Sequence, residues 1–413
     1  MKKLVMLTSF FPFAHGEEFL ETEIEYLTKY FDQIHIFPKN FDKNRRPLPP
    51  KVQISHLFFS NKILKKFTIL RKSLFSSMFW IEFFNHPFNY IKWKPLKHLI
   101  FMTGESKKNL NKFSSYIQKN GLEEALFYSY WCDHSPLILM LLKKKHPKIT
   151  IISRAHGGDL YHERMPAGTK FLRQRLLSNL DYVFTISNHG RDYLLSNYTL
   201  KSSKIIVSRL GVNPSKKKTS PSSTEEFFSV VSCSFLTPVK RINLLIKALA
   251  IVAKRLPEVK FNWSHLGDGP LRNELEQHAK ESFPSNVSFC FYGYIKNKKI
   301  TEFYYKNSID LFINLSVSEG LPVSMMEAQS CGLPILATNV GGVSEIVNSS
   351  NGYLLPKEIT PEVIADKMIS IKSNTKELNQ KKISAYHHWE QHFNALKNYE
   401  SFAQKISRLR SQS

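Results

Sequence analysis

Two acidic residues that lie eight positions apart are the strongest chemical signal in this chain of 413 residues. Glu319 and Glu327 belong to the segment NLSVSEGLPVSMMEAQSCGLPILATNVGGVSEI, which begins at Asn314. Its pattern predicts a buried strand, a loop, a helix that ends near Gly332, a second strand and a glycine turn. That turn, at residues 341–342, would let a ligand come close to bare backbone.

The start of this helix is a predicted anion site. Pro322 suits the first turn, because its missing N–H would be unpaired there in any case. The amides of residues 320–324 would hold a phosphate, since a helix N-terminus preceded by glycine attracts negative charge. Glu327 would then accept hydrogen bonds from sugar hydroxyls. The alternative is an ordinary strand–helix–strand unit whose acidic residues are solvated.

The stretch SEGLPVSMMEAQSCGLPILATNVGG resembles the donor-site motif of the retaining glycosyltransferases of family four, which have the GT-B fold and belong to glycosyl transferases group 1. The resemblance implies that Glu327 holds the ribose of a nucleotide sugar and that Glu319 lies beside the transferred sugar. It also implies that the loop amides hold the diphosphate. The loop residues concerned are Gly320, Leu321, Pro322 and Val323.

Other segments carry the same resemblance. Residues 154–159, RAHGGD, are similar to the family's Arg-Ala-His-Gly-x-Asp segment, which implies that His156 faces the donor sugar. A lone histidine is otherwise a satisfied structural residue. Lys240 matches a family lysine that binds the diphosphate, whereas Phe235 occupies the usual position of an arginine. Arg241 would supply the second cation, or one phosphate contact is missing.

Three glycine-containing turns complete the resemblance. Gly267 opens the segment GDGP, a tight turn that also occurs in the family, and Tyr294 lies where the family contacts the nucleotide base through its backbone. The opening SFFPFAHGEEFLE resembles that of a subgroup that builds bacterial surface polysaccharides. Gly16 in this opening would face the cleft, or it is a plain turn glycine.

Two α/β domains must position these residues, and the chain is long enough for two domains of about 200 residues. Strand, helix and strand patterns at 4–8, 19–31 and 33–37 predict a Rossmann-like unit, and Ser187 is a predicted helix cap. The resemblance implies the GT-B fold, with two Rossmann-like domains whose parallel sheets face a central cleft. The predicted divisions are residues 1–213, a polar linker at 214–226, residues 227–385, and a helix at 386–413 that returns to the first domain.

The net charge of +24 favours a partner that is nucleic acid, an anionic membrane or an anionic substrate. Nucleic acid is disfavoured, because zinc-finger spacing and RNA-binding motifs are absent. Residues 62–112 mix basic residues with phenylalanine and tryptophan, which suits a surface lying on anionic lipid. The alternative is a pair of core helices with solvated outer faces. No apolar run is long enough to span a bilayer.

The four cysteines are scattered, without pairing or metal-ligand spacing, which fits a reducing cytoplasm. Cys233 and Cys290 lie in strand-like runs, where we expect buried small side chains. The sequence has no Asp-x-Asp motif, so we predict a reaction without a metal ion. We expect no cofactor apart from the nucleotide-sugar donor.

The resemblance implies transfer of a hexose or N-acetylhexosamine from a UDP sugar, with retention at the anomeric carbon. The acceptor would be a lipid-linked or cell-surface glycan of a capsule, exopolysaccharide or O-antigen. The protein would be cytoplasmic and peripheral on the inner face of the plasma membrane. Two alternatives remain, a GT-B nucleotide-sugar epimerase and a basic non-catalytic binding protein.

Overall fold

The structure is a computed structural model that describes residues 1–13, 17–56, 65–162, 172–219 and 226–409, without the side chains of Lys65 and Lys298. Gly16, residues 62–64 of the basic and aromatic region, and residues 220–225 of the predicted linker lie outside these ranges. The chain divides into two units. Unit 1 contains Met1–Ser208 and Tyr399–Ser413, and unit 2 contains Arg209–Asn398.

Unit 1 is built on a parallel sheet of seven strands in the order β3-β2-β1-β4-β5-β6-β7. The strands are β1 (Lys3–Thr8), β2 (Gln33–Pro38), β3 (Val52–Ile54), β4 (Leu126–Ser129), β5 (Thr150–Ala155), β6 (Tyr182–Thr185) and β7 (Ile205–Val207). The helices are α1 (Leu20–Tyr30), α2 (Lys65–Leu74), α3 (Ser77–Asn85), α4 (Trp93–Lys119), α5 (Leu137–Lys145), α6 (Gly157–Leu160), α7 (Arg173–Asn179) and α8 (Asn188–Asn197), with short 3-10 turns at Pro87–Tyr90 and Ser202–Lys204.

Both faces of this sheet are covered, which explains why its strands are almost continuously apolar. Successive side chains of β1 point to opposite faces. Val5 and Leu7 belong to one apolar cluster, whereas Leu4 and Met6 belong to the other. The end of the chain adds to the second cluster, where the ring of Phe402 lies 5.6 Å from that of Tyr128.

Unit 2 has a parallel sheet of six strands in the order β10-β9-β8-β11-β12-β13. The strands are β8 (Phe227–Cys233), β9 (Lys260–Leu266), β10 (Val287–Phe291), β11 (Leu311–Asn314), β12 (Ile335–Thr338) and β13 (Gly352–Leu355). The helices are α9 (Ile242–Arg255), α10 (Arg272–Ser282), α11 (Asn297–Lys306), α12 (Val323–Ser330), α13 (Pro361–Ser373) and α14 (Thr375–His392), with short 3-10 turns at Pro238–Lys240 and Val343–Glu345. The last helix, α15 (Ala395–Ser407), begins in unit 2 and belongs to unit 1 from Tyr399 onward.

Both sheets have the strand order of a doubly wound fold, so the prediction of two Rossmann-like parallel sheets is confirmed. The strand order reverses between β1 and β4 in unit 1 and between β8 and β11 in unit 2. Ligands of such sheets bind beyond the carboxyl ends of the strands at this point. The ends of β8 and β11 are therefore where a donor site is expected.

One expectation about the cysteines was wrong. Cys290 is exposed and Cys233 is only partly buried. Cys290 lies on β10, an edge strand on which only Phe291 is fully buried. An edge strand lacks neighbours on one side, so a strand-like sequence there does not ensure burial.

Candidate active site

The segment around the two glutamates folds as the sequence predicts. β11 is followed by a loop, by α12, and by a turn at Gly332 with a φ of +76°. Pro322 lies one residue before the first helical residue. The main-chain N–H groups of Gly320, Leu321, Val323 and Ser324 donate no hydrogen bond to any of the described residues. Unpaired N–H groups at a helix N-terminus form a ready site for an anion.

Two glycines hold the loop that carries Glu319. Gly341 has a φ of +55°, and a Cβ atom there would lie 1.9 Å from the carbonyl oxygen of Glu319. The N–H of Gly342 donates to the carbonyl oxygen of Gly320 at 2.8 Å. Any side chain at position 341 would force these backbones apart, so the loop conformation depends on the glycine.

Glu319 forms an ion pair with Lys240. The Lys240 Nζ donates to Glu319 Oε1 at 2.5 Å, and Asn314 Nδ2 donates to the same oxygen at 3.3 Å. The Glu319 side chain is 7% exposed and that of Lys240 is 22% exposed. The structure therefore brings together two residues that the sequence identified separately. Asn314 was not identified, although its place at the end of β11 is a usual one for a ligand-binding residue.

Glu327 has a different environment. Its side chain is buried, and no hydrogen bond reaches its carboxyl group from the described residues. Burial raises the pKa of Glu327 to about 8, because the charged form loses its hydration. The carboxyl group is therefore mostly protonated at neutral pH.

The thiol of Cys233, at the end of β8, connects these groups. Burial, with a smaller contribution from the charge of Glu327, raises the pKa of Cys233 to about 12, although a hydrogen bond with Tyr304 and the charge of Lys240 act to lower it. Electrostatic effects of this kind act over short distances. Lys240 and Glu327 therefore both lie near the carboxyl end of β8, at the reversal of strand order.

Arg241 is occupied with the backbone of its own unit. It adopts a φ of +49°, and its Nε donates to the carbonyl oxygen of Leu315 at 2.6 Å. Its Nη1 and Nη2 both donate to the carbonyl oxygen of Lys357 at 3.0 Å. Arg241 thus anchors the loop after β11, and a phosphate contact by this residue stays a prediction. Phe235, at the position usual for an arginine, is 62% exposed.

The glycine turns at Gly267 and Gly293 of unit 2 lie against each other. Gly267 has a φ of +136°, and its N–H donates to the carbonyl oxygen of Gly293 at 2.9 Å. A Cβ atom on Gly267 would lie 2.0 Å from the carbonyl oxygen of Ser234. Tyr294 follows Gly293 and is 54% exposed. The turn is therefore tight because three backbone segments meet there.

His156 belongs to unit 1, at the residue before α6. Its main-chain N–H donates to Asp159 Oδ1 at 2.5 Å, and its ring lies 4.7 Å and 4.6 Å from the rings of Tyr130 and Trp131. The residue is 3% exposed, and its Nδ1 lies 3.8 Å from Asp159 Oδ2, beyond hydrogen-bond distance, so neither ring nitrogen forms a hydrogen bond with the described residues. Buried polar atoms usually have partners, so a ring without them suits contact with a ligand. Position and surroundings thus agree with the predicted role, which stays a prediction.

Arg154, in the same motif, is a core residue. Its guanidinium pairs with the carboxylate of Glu23, and both side chains are almost completely buried. Burial alone would lower the pKa of Arg154, but the charge of Glu23 raises it. Tyr128 also donates to Glu23, at 3.0 Å. This pair joins α1 to the sheet, so Arg154 positions the strand that carries His156.

Glu17 is a further residue that the sequence did not identify. Its carboxylate accepts hydrogen bonds from the N–H groups of Ser9, Phe10 and Phe11 and from the indole of Trp131. It therefore holds the loop after β1 and the aromatic ring beside His156. A glutamate next to a glycine was the available signal. The neighbouring Gly16 lies outside the described residues.

Clusters of metal-ligating side chains are the next feature of the described residues. In the described ranges, no three His, Cys, Asp or Glu residues are grouped as metal ligands would be. Lys240 and the main-chain N–H groups at the start of α12 are the positively polarised groups described in unit 2.

A comparison with protein families identifies the second part of the chain. Residues 214–388 match the family described as glycosyl transferases group 1. The matched residues lie within unit 2. They include the ion pair, the glycine turns and the helix N-terminus described above.

Individual glycosyltransferases also resemble parts of this chain, and a solved structure resembles its fold. The chain is 25% identical to an uncharacterized glycosyltransferase of Methanocaldococcus jannaschii over 258 residues, which are 62% of this chain and 68% of that protein. It is 29% identical to the O-antigen biosynthesis glycosyltransferase WbnH of Escherichia coli over 175 residues, 42% of this chain and 46% of that protein. The fold is similar to that of Anabaena HepE in complex with UDP and glucose, with a TM-score of 0.67 at 18% identity, over 98% of this chain and 99% of that one. The GT-B fold is thereby confirmed.

Proposed function

We propose that the protein is a retaining glycosyltransferase of family four that uses a UDP sugar. It would transfer a hexose or N-acetylhexosamine to a lipid-linked or cell-surface glycan of a capsule, exopolysaccharide or O-antigen. The observation that carries this proposal is the Lys240–Glu319 ion pair beside the free N–H groups at the start of α12. A cation and a helix N-terminus in one place suit a leaving diphosphate.

The proposed mechanism assigns each group a separate task. The N–H groups of Gly320, Leu321, Val323 and Ser324, together with Lys240, stabilise the negative charge that develops as the sugar–phosphate bond breaks. Glu319 orients Lys240 and contacts the transferred sugar, while Glu327 accepts hydrogen bonds from the ribose. His156 contacts the donor sugar. The remaining donor contacts in the proposal are Gly16, Arg241, Gly267 and Tyr294.

Two relatives support the choice of substrates. HepE has been crystallised with UDP and glucose, and WbnH is named for O-antigen biosynthesis. The low identity to HepE supports the fold alone, and the alignment with WbnH covers less than half of that protein. The donor and the acceptor are therefore proposals that an assay must test.

We also propose that the reaction needs no metal ion and that the protein is cytoplasmic and peripheral on the inner face of the plasma membrane. A lipid-linked acceptor would be presented at that surface. The presence of Lys240 beside the helix N-terminus supports the first proposal, since a lysine can take the place of a metal ion at the phosphates.

The function is tested by incubating the protein with a panel of UDP sugars, with and without lipid-linked acceptors. We expect a glycosylated product that keeps the anomeric configuration of the donor, together with release of UDP. Glu319→Gln should lose this activity. Conversion of the donor without an acceptor would favour a nucleotide-sugar epimerase. Absence of nucleotide binding would favour the basic non-catalytic binding protein.

A further inference from the structure

Exposed apolar side chains are concentrated in one part of unit 1. Among the described residues, twenty large apolar side chains are exposed, and nine of them lie between positions 67 and 93. We name these nine the aromatic patch: Phe67, Leu70, Leu74, Phe75, Trp80, Phe84, Phe88, Ile91 and Trp93. Exposed apolar side chains concentrated in one part of a unit indicate an interaction site.

The packing of α2 against α4 turns one side of the patch outward. Ser73 Oγ lies 2.8 Å from Thr103 Oγ1, and a Cβ atom on Gly104 would lie 2.1 Å from the carbonyl oxygen of Ile69. These small residues allow the two helices to approach closely. The apolar residues at 67, 70 and 74 follow helical spacing and remain exposed, because Ile69 and Ser73 take the buried side.

Helix α3 also has a buried side and an exposed aromatic side. Met78 and Phe79 of α3 are buried, whereas Trp80 and Phe84 are 40% and 69% exposed, with their rings stacked 5.5 Å apart. Phe88 and Trp93 follow on the short turn and at the start of α4, with 84% and 68% of their surface exposed. The aromatic rings thus lie on the outer surface although the neighbouring positions form a core.

Basic residues accompany the patch, and exposed acidic residues are absent. Exposed cations are present at positions 66, 71, 92, 94 and 97. The only acidic residue between positions 65 and 97 is Glu82, which is buried and accepts a hydrogen bond from Tyr90 at 2.9 Å. Apolar rings beside exposed cations complement a partner that has an apolar interior and a negatively charged surface.

We propose that the aromatic patch and its cations bind the surface of an anionic membrane. The aromatic side chains would enter the boundary between head groups and acyl chains, and the cations would pair with lipid phosphates. None of the helices formed by the described residues is long and apolar enough to cross a bilayer. The inference rests on the proposed peripheral localisation and specifies the surface and the lipid charge.

The charge requirement is tested by sedimentation of the whole protein with vesicles of phosphatidylcholine alone or with 30% phosphatidylglycerol added. We expect strong binding only to the anionic vesicles, weakened by salt. The double variant Lys92→Gln/Lys94→Gln should bind roughly 30-fold more weakly, since each cation near the membrane surface raises the affinity about fivefold. The charge-matched control Lys254→Gln/Lys376→Gln, with two exposed lysines of unit 2, should bind as the unchanged protein does.

The apolar requirement is tested with Phe88→Ala/Trp93→Ala. This variant should lose roughly tenfold or more in affinity for anionic vesicles. The control Ile383→Ala/Leu396→Ala removes two side chains that are 52% and 54% exposed in unit 2, and it should have no effect. Bromine atoms on the acyl chains should quench tryptophan fluorescence, and Trp93→Phe should reduce the quenching.

Several outcomes would overturn the proposal. Equal binding to neutral and anionic vesicles, or equal losses in the control variants, would remove the assigned role of the cations or of the patch. A dimer without lipid that Phe88→Ala/Trp93→Ala makes monomeric would assign the patch to a second copy of the chain. Because these assays use no donor or acceptor, their failure leaves UDP-sugar binding and transfer unaffected, and those are measured separately.

Discussion

Glu327 offers a sharp test of the donor site, because its burial and its proposed role make opposite demands on its charge. Burial raises its pKa to about 8, whereas a ribose ligand is best held by the carboxylate. We therefore expect the binding of a UDP sugar to remove a proton from Glu327. The variant Glu327→Gln keeps the shape of the protonated group and cannot ionise.

The effect on stability has a definite sign. Between the unfolded pKa of 4.5 and the folded pKa of about 8, the folded protein binds more protons than the unfolded chain. The free energy of unfolding therefore falls as pH rises through this range, by about 1.4 kcal/mol per pH unit. The total loss by pH 8 is at most roughly 5 kcal/mol. Glu327→Gln should lack this loss and should be more stable than the unchanged protein at pH 8.

The effect on binding follows from the same proton. Affinity for UDP-glucose should rise by up to roughly tenfold per unit between pH 5 and 8, because less work is needed to ionise Glu327. In Glu327→Gln this dependence should be absent. Glu327→Ala should bind roughly 10- to 100-fold more weakly than the unchanged protein at pH 8, through loss of charged hydrogen bonds of about 1.5–3 kcal/mol.

Urea unfolding from pH 5 to 8 measures the first effect, and titration calorimetry with UDP-glucose in two buffers of different ionisation enthalpy measures the second. UDP-glucose is a better probe than UDP, because the terminal phosphate of UDP has a pKa near 6 of its own and would release or take up protons as well. Equal pH dependence of unfolding in both proteins would refute the raised pKa. Proton release that persists in Glu327→Gln would refute the assignment of Glu327 to the ribose.

The other predictions concern the reaction and the loop. Glu319→Gln should lower kcat by roughly 100-fold or more with a much smaller change in donor affinity, since Lys240 loses its partner; similar losses in both would contradict the role. Transfer should survive a chelator, and activity restored by Mg²⁺ or Mn²⁺ after chelation would refute this. Gly341→Ala should abolish UDP-glucose binding in calorimetry, because the new Cβ meets the carbonyl of Glu319. The control Gly121→Ala has a similar φ of +58° but no backbone nearby, and it should keep binding.

Local structure at the donor loop was predictable from the sequence. α12 begins beside Pro322 and its turn lies at Gly332, as expected, because these two residues act on their immediate neighbours. Ser187 caps the helix after β6, where its Oγ accepts the N–H of Gly190 at 3.0 Å. Such features depend on a few adjacent residues, so one sequence is enough to predict them.

Surface exposure was only partly predictable. Basic and aromatic residues in the region 62–112 were compatible with either a membrane surface or two core helices. The structure contains both buried and exposed aromatic rings there, with Phe79 buried and Trp80 beside it exposed. Which ring faces outward depends on the line along which α2 and α3 contact α4. Helical spacing alone does not specify that line.

The sequence by itself was enough to predict the fold class and the positions of the glycine turns, and to single out Glu319 and Glu327 as candidate donor-site residues. Only the tertiary structure showed that Lys240 pairs with Glu319 across 79 positions of sequence and that Arg241 is engaged by backbone carbonyls. It alone raised the pKa of Glu327 to about 8. Turns and helix ends arise from neighbouring residues, whereas ion pairs and desolvation depend on distant residues that folding brings together.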